Sequence, residues 1–196
     1  MARPRKVSDE RLVAAAGTAI GRLGPGFTLA DVAAEAQVSA GTLVHRFGSK
    51  HGLLLAMLRA ATADARAAPA GAPVADPVAA VRDALVERYR PLDDPGSAAN
   101  NLAQLAADLS DERLRAGMAE FYDAVRAGTR ALLRRAVDAG ALPGAPPVPV
   151  AARILTAVAD GAAIHWSTDP RGSLRHRLAA DLDAILAGWR RRPTDD

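Results

Sequence analysis

Between residues 28 and 50 the chain carries Thr28, Ser39, Thr42, His45, Arg46 and Lys50. Hydroxyls and cations are the groups that hold phosphate oxygens, and an imidazole can donate to or accept from a base edge. Ala40 and Gly41 stand among them with little or no side chain. Small residues at the start of a helix let it approach another surface closely. The chemistry these types offer is recognition of a polyanion. Residues 1–60 hold eight Lys and Arg against four acids, whereas the other 136 hold 17 against 18. A basic N-terminal unit on a nearly neutral body fits that chemistry, although so small an excess also arises by chance.

Other chemistries lack their residues. The chain has no cysteine, which removes a disulfide scaffold, a thiolate zinc site and a cysteine nucleophile. His45, His51, His165 and His176 show neither H-E-x-x-H nor paired E-x-x-H spacing, so no metal site is expected. There is no G-x-S-x-G elbow and no phosphate-binding glycine loop. Neither an enzyme nor a cofactor is expected.

The elements that position these groups can be read from caps and periodicity. Thr28-Leu29-Ala30-Asp31 reads as an N-cap with an acid at the third helical position, a variant of the capping box. A helix is predicted from Leu29 to Ala36, with Leu29, Val32, Ala33 and Ala36 inward. Gln37-Val38-Ser39 makes a three-residue break, and Ser39 is a good N-cap for a second helix from Ala40 to about Phe47. Leu43 and Phe47, four apart, bury together with Val38. Ala40, Gly41, Thr42, Val44, His45 and Arg46 face outward. Two short helices around a tight turn are helix-turn-helix geometry, whose second helix can enter a DNA major groove. An αα-hairpin inside a helical core has the same pattern, and spacing alone leaves both readings open.

The rest of the 196 residues is also helical in pattern. Alanine, leucine and arginine, strong helix formers, are abundant. Proline and glycine clusters punctuate the chain at 24–26, 69–77, 91–96, 140–149 and 170–173. Between them apolar residues recur every three or four positions, as in Leu114, Met118, Phe121, Val125 and Leu132, or Leu174, Leu178, Leu182, Ile185 and Trp189. The expectation is an all-α fold of about nine helices, the longest from about Ser110 to Ala139. No uninterrupted apolar run approaches the roughly 20 residues of a membrane span. The basic Met1-Ala2-Arg3-Pro4-Arg5-Lys6 leads into polar residues and not a signal core. A soluble cytoplasmic protein is expected.

The stretch Thr28-Leu29-Ala30-Asp31-Val32-Ala33, then Val38-Ser39-Ala40-Gly41-Thr42-Leu43, Phe47-Gly48-Ser49-Lys50 and Leu53-Leu54 resembles the DNA-binding domain of TetR-family transcriptional regulators. The resemblance covers about residues 8–58 and implies two domains. Residues 1–50 would be a three-helix helix-turn-helix domain with a basic arm (Arg3, Arg5, Lys6). Residues 51–196 would be a helical effector-binding and dimerisation domain. By position, Thr28, Thr42, Arg46 and Lys50 would grip phosphates, with Ser39 beside them, while Ala40, Gly41 and His45 face base edges. Three positions depart from the family pattern. Gln37 replaces the turn glycine, at a cost of about 1 kcal/mol if φ is positive there. Val44 stands where a phosphate-binding tyrosine is usual. Arg46 replaces a histidine or tyrosine and could compensate.

The resemblance further implies a small, largely apolar effector held by the middle helices. Asn100, Asn101, Gln104, Met118, Phe121 and Tyr122 are the candidates, with His165 and Trp166 closing the pocket. It implies a homodimer through the last two helices, about 150–168 and 173–192, rich in small residues and leucine. The implied function is a repressor released from a palindromic double-stranded DNA operator by its ligand. The alternative is a helical ligand- or partner-binding module that binds no operator.

Overall fold

The computed structural model describes residues 7–67 and 75–191, so the arm residues Arg3, Arg5 and Lys6 lie outside it. It is 82% helical. Among the described residues there are nine α-helices and no strand. They are α1 (Asp9–Leu23), α2 (Leu29–Ala36), α3 (Ala40–Phe47), α4 (Lys50–Ala67), α5 (Pro77–Arg88), α6 (Pro95–Leu109), α7 (Glu112–Asp138), α8 (Val148–Thr168) and α9 (Leu174–Trp189). The start of most is written in the sequence. Ser8, Thr28, Ser39, Asp76, Asp94, Asp111 and Ser173 each accept a backbone N–H of the first turn. At α2 the capping box is complete: Asp31 N donates to Thr28 Oγ1 at 3.2 Å, and Thr28 N to Asp31 Oδ2 at 2.8 Å. The Thr28 hydroxyl, then its backbone N–H, holds the Asp31 carboxyl below its ordinary range. That support is in place above about pH 4 and is lost as acid protonates the carboxylate.

Two apolar cores form. The first joins Leu12, Ala16 and Ile20 of α1 to Phe27, Val32, Ala36 and Leu43, and takes in Leu53 and Leu54 from α4 and Leu114 from α7. The second joins α5, α7, α8 and α9 through Val81, Leu133, Leu155, Trp166, Leu178 and Leu182, among others. α4 packs along α7, and α6 against α1. At that second seam a Cβ added to Gly21 would lie 2.8 Å from Ser97 Oγ. The bare glycine therefore lets α6 come close, and Asn100 Nδ2 donates across the seam to Gly21 O at 2.9 Å.

The leucine content that helped to suggest the last two helices as a dimer contact does not serve one: Leu174, Leu178, Leu182 and Leu186 of α9 are buried inside the subunit, at 1% exposure or less. They line one side of the helix because α5 and α8 pack there. The opposite side carries Ala180, Ala184 and Ala187, all exposed. On α8, likewise, Ile154, Ala157 and Ile164 are exposed while Leu155, Ala159 and Trp166 are buried. α8 is the one helix among the described residues long and apolar enough to cross a membrane, by length and composition only, and a single such helix is weak evidence of a span.

The turn between α2 and α3 holds Gln37 in the left-handed region, at φ 56° and ψ 48°. This is the positive φ expected for a position where glycine is usual. Gln37→Gly should therefore raise stability by about 1 kcal/mol, read as a rise of about 2–4 °C in thermal midpoint.

Candidate nucleic-acid interface

α3 is an eight-residue helix with one buried side. Leu43 is fully buried, and Val38 and Phe47 pack partly buried against the same core. Ala40, Gly41, Val44 and His45 are exposed, and Thr42 and Arg46 half-buried. The Ser39 hydroxyl accepts from Thr42 N at 3.3 Å and lies 3.0 Å from the Thr42 hydroxyl. Two hydroxyls sharing one hydrogen bond leave one proton free to donate outward.

The cations expected on phosphates have partners within the domain. Lys50 Nζ donates to the carbonyls of Pro25 at 2.6 Å and Phe27 at 2.7 Å, and sits 4.2 Å from the Phe27 ring centroid. It thus ties the start of α4 to the turn before α2. Arg46 pairs with Asp9 and donates to Val7 O at 2.9 Å, joining α3 to the start of α1. Thr28 donates its hydroxyl proton to Asp31 at 2.7 Å, so that proton is already used in the cap. The geometry is a small-faced helix, braced on both sides, with exposed positions 40, 41, 44 and 45 aimed away from the core.

The residues named for an effector are not gathered in one place. Phe121 and Tyr122 of α7 are together, their ring centroids 5.5 Å apart. Arg88 at the end of α5 lies against them, its guanidinium 5.3 Å from the Phe121 ring, 5.5 Å from Tyr122 and 5.1 Å from Tyr89. Arg88 Nη2 donates to Asp160 of α8 at 3.0 Å and to the Tyr89 hydroxyl at 2.9 Å. The Tyr89 hydroxyl in turn donates to Asp160. Burial, and then the Asp160 charge, push the Tyr122 hydroxyl above its ordinary range. Arg88 Nη1 is buried with no partner.

Met118 is buried nearby in sequence on α7. Gln104 is buried and donates to Asp108 at 2.6 Å, leaving its Oε1 unpartnered. Asn101 turns back onto Ser97. Trp166 is buried in the second core, whereas His165 is exposed. Successive helical residues point about 100° apart, so these two do not close one pocket together. Surface cavities among the described residues lie elsewhere. One of about 740 Å³ runs along the α1–α6 seam past Gly17, Gly21, Ser97 and Asn100. One of about 320 Å³ lies between α4 and α7 at Leu55, Leu58, Thr62 and Gly117.

Sequence reasoning missed Arg88, Tyr89 and Asp160. A signal was present: Asp160 is the one acid in the apolar sequence of α8, and an acid there calls for a partner. Which cation supplied it could not be read from the chain.

An all-helical fold with an N-terminal helix-turn-helix and a second helical core defines a class of DNA-binding regulators. Comparison with known proteins makes the class definite. A family model described as bacterial regulatory proteins, tetR family, matches residues 12–57. A second, described as BetI-type transcriptional repressor, C-terminal, matches residues 77–190. The chain belongs to the TetR family and is a DNA-binding transcriptional regulator. It is similar to a solved transcriptional regulator from Rhodococcus sp. Rha1, with 26% identity and a TM-score of 0.69 over 95% of this chain and 100% of that one. A TetR regulator from Haloarcula marismortui ATCC 43049 shares the fold at 17% identity, TM-score 0.74, over 92% and 97%. So does SmeT, the repressor of the Stenotrophomonas maltophilia multidrug efflux pump SmeDEF, at 20% identity, TM-score 0.66, over 94% and 91%. No curated protein matches the chain.

The two bracing cations differ in how much they hold. Lys50→Met leaves two carbonyls without their donor and should cost about 1–2 kcal/mol in denaturant unfolding. Arg46→Ala removes a pair whose Asp9 side chain is 60% exposed and should cost under about 1 kcal/mol.

Proposed function

We propose that this regulator is a cytoplasmic repressor that binds a palindromic DNA operator as a homodimer and leaves it when a small, largely apolar ligand binds. Residues 1–50 would carry the DNA contacts and residues 51–196 the effector and dimer contacts, with α4 shared between them. The observation that carries the reading is the face of α3. Ala40, Gly41, Val44 and His45 are exposed while Leu43 is fully buried, so the helix is fixed and its far side is free. In the major groove, positions 40, 41 and 45 meet base edges, while Ser39 and Thr42 offer a hydroxyl proton to phosphate. Arg46 can exchange its exposed partner Asp9 for phosphate. The test is retardation of the DNA upstream of the protein's own reading frame. A specific shift supports the proposal. No shift on that DNA or on any sequence selected from a random duplex library would instead favour a ligand- or partner-binding module without an operator.

The dimer reading rests on the faces left uncovered by the subunit. Ile154, Ala157 and Ile164 of α8, and Ala180, Ala184 and Ala187 of α9, are small or apolar and exposed. Packing two copies about a two-fold axis would cover them and set two α3 helices on successive major grooves, about 34–36 Å apart. Ile164→Arg with Ala180→Arg puts unpaired charge into that contact. Light scattering should then give a folded monomer, with operator affinity strongly reduced. A dimer of unchanged affinity would move the interface elsewhere.

The effector reading rests on the Arg88 cluster. A half-buried guanidinium, its Nη1 buried without a hydrogen bond, beside Tyr89, Phe121 and Tyr122, offers aromatic walls and one polar anchor to a small molecule. A ligand lowers DNA affinity only if it favours the conformation that binds DNA worse. The routes to α3 are α4, which packs on α7, and α6, which packs on α1. Tyr122→Ala should weaken the response to any ligand found by thermal-shift screening of the dimer, with operator affinity kept. Titrating that ligand with and without operator must give affinities differing by the reciprocal factor, typically about 5–150-fold. Equal affinities would remove that ligand as the effector.

A further inference from the structure

Val44 is the most exposed large apolar residue among the described residues, at 51%. A lone exposed valine is ordinary on most surfaces; its position here is not ordinary. Four residues of α3 are exposed: Ala40, Gly41, Val44 and His45. Ala40 and Gly41 end at Cβ or before it. Val44 and His45 are therefore the two exposed side chains of this helix with any reach. Val44 has neither donor nor acceptor, so it cannot hold a phosphate oxygen. Among the groups that base pairs display in the major groove, the apolar one is the thymine 5-methyl.

We propose that Val44 reads a thymine methyl, and so specifies one thymine in each half-site of the operator. The inference rests on the operator-binding reading above. Val44 and His45 are successive and point about 100° apart around the helix, so Val44 has a target of its own, separate from that of His45. The rest of the helix supports a close approach. Gly41 has no side chain to hold the backbone away, and a Cβ added there would meet nothing nearer than Ser39 Oγ at 3.7 Å. The buried Leu43, about 100° away around the helix, fixes which way Val44 points. Burying the valine against the methyl takes both out of water, and one methyl's worth of burial corresponds to about a three- to five-fold change in affinity.

The test uses the full-length dimer and duplex DNA. A half-site is first selected from a random library. Each thymine of one half-site is then replaced in turn by deoxyuridine, which deletes the methyl and keeps every hydrogen-bonding group. Wild-type protein should lose about three- to five-fold at one position, and Val44→Ala should show no loss there. Val44 is exposed, so the variant should keep its thermal midpoint and the salt dependence of binding. A flat deoxyuridine scan on a tightly bound operator would overturn the inference and leave operator binding standing. The same penalty in Val44→Ala would also overturn it. If the library yields no bound sequence, the operator reading fails and takes this inference with it.

Discussion

The approach of α6 to α1 at Gly21 is the constraint on which the rest of the molecule depends. The first core and the second are built by different residues, and a change in one is felt in the other only through the elements they share. Gly21 lacks the Cβ that would collide with Ser97, and the Asn100 amide crosses the seam to the Gly21 carbonyl. α4 makes the other link, with Leu53 and Leu54 in the first core and its body along α7. These two contacts are the routes by which a movement of α6 or α7 reaches α1 and α4, which frame α3.

α3 itself is held by polar groups as much as by apolar ones. An eight-residue helix is far too short to be stable alone, and Leu43 is its one fully buried anchor. Ser39 caps its start, Arg46 ties it to α1, and Lys50 ties the turn after it to the carbonyls before α2. The same side chains expected on phosphates thus do structural work in the free protein. For Arg46 the two roles are compatible, because Asp9 is exposed and exchanging it for phosphate costs little. Lys50 is bound to carbonyls and stacked on Phe27, a setting that fixes its charge at the edge of the helix-turn-helix.

Local rules made the first domain legible. Thr28, Ser39 and the spacing of Leu43 and Phe47 fixed both helices to the residue, and the departure at Gln37 pointed to the backbone conformation found there. The long α7 and the order of the remaining helices followed from periodicity and proline. Contacts between distant helices did not. Helical spacing says that Leu174, Leu178 and Leu182 share a face, but not whether that face meets the same subunit or another. Both choices bury leucine equally well, and the answer lies in where α5 and α8 fall. The Arg88–Asp160 pair spans 72 positions, and a composition with many arginines offered several partners for one aspartate.

That pair also explains why the second core carries polar chemistry at all. An acid in the middle of an apolar helix is costly to bury unpaired, and exchanging such a pair for apolar residues is often neutral or stabilising. Structure alone therefore gives weak grounds for placing Asp160, Arg88 and Tyr89 together. The arrangement also leaves Arg88 Nη1 buried without a hydrogen bond, which makes stability a still weaker account. Each unsatisfied group raises the energy of this conformation and lowers the relative cost of another in which the group is satisfied. Three aromatic rings lie beside Arg88 where α5, α7 and α8 meet, and α4 is reached from there through α7. On the proposed effector reading, a molecule that offered an acceptor to Arg88 would favour the conformation in which that bond forms, and α7 with α4 is the path by which the preference would reach α3.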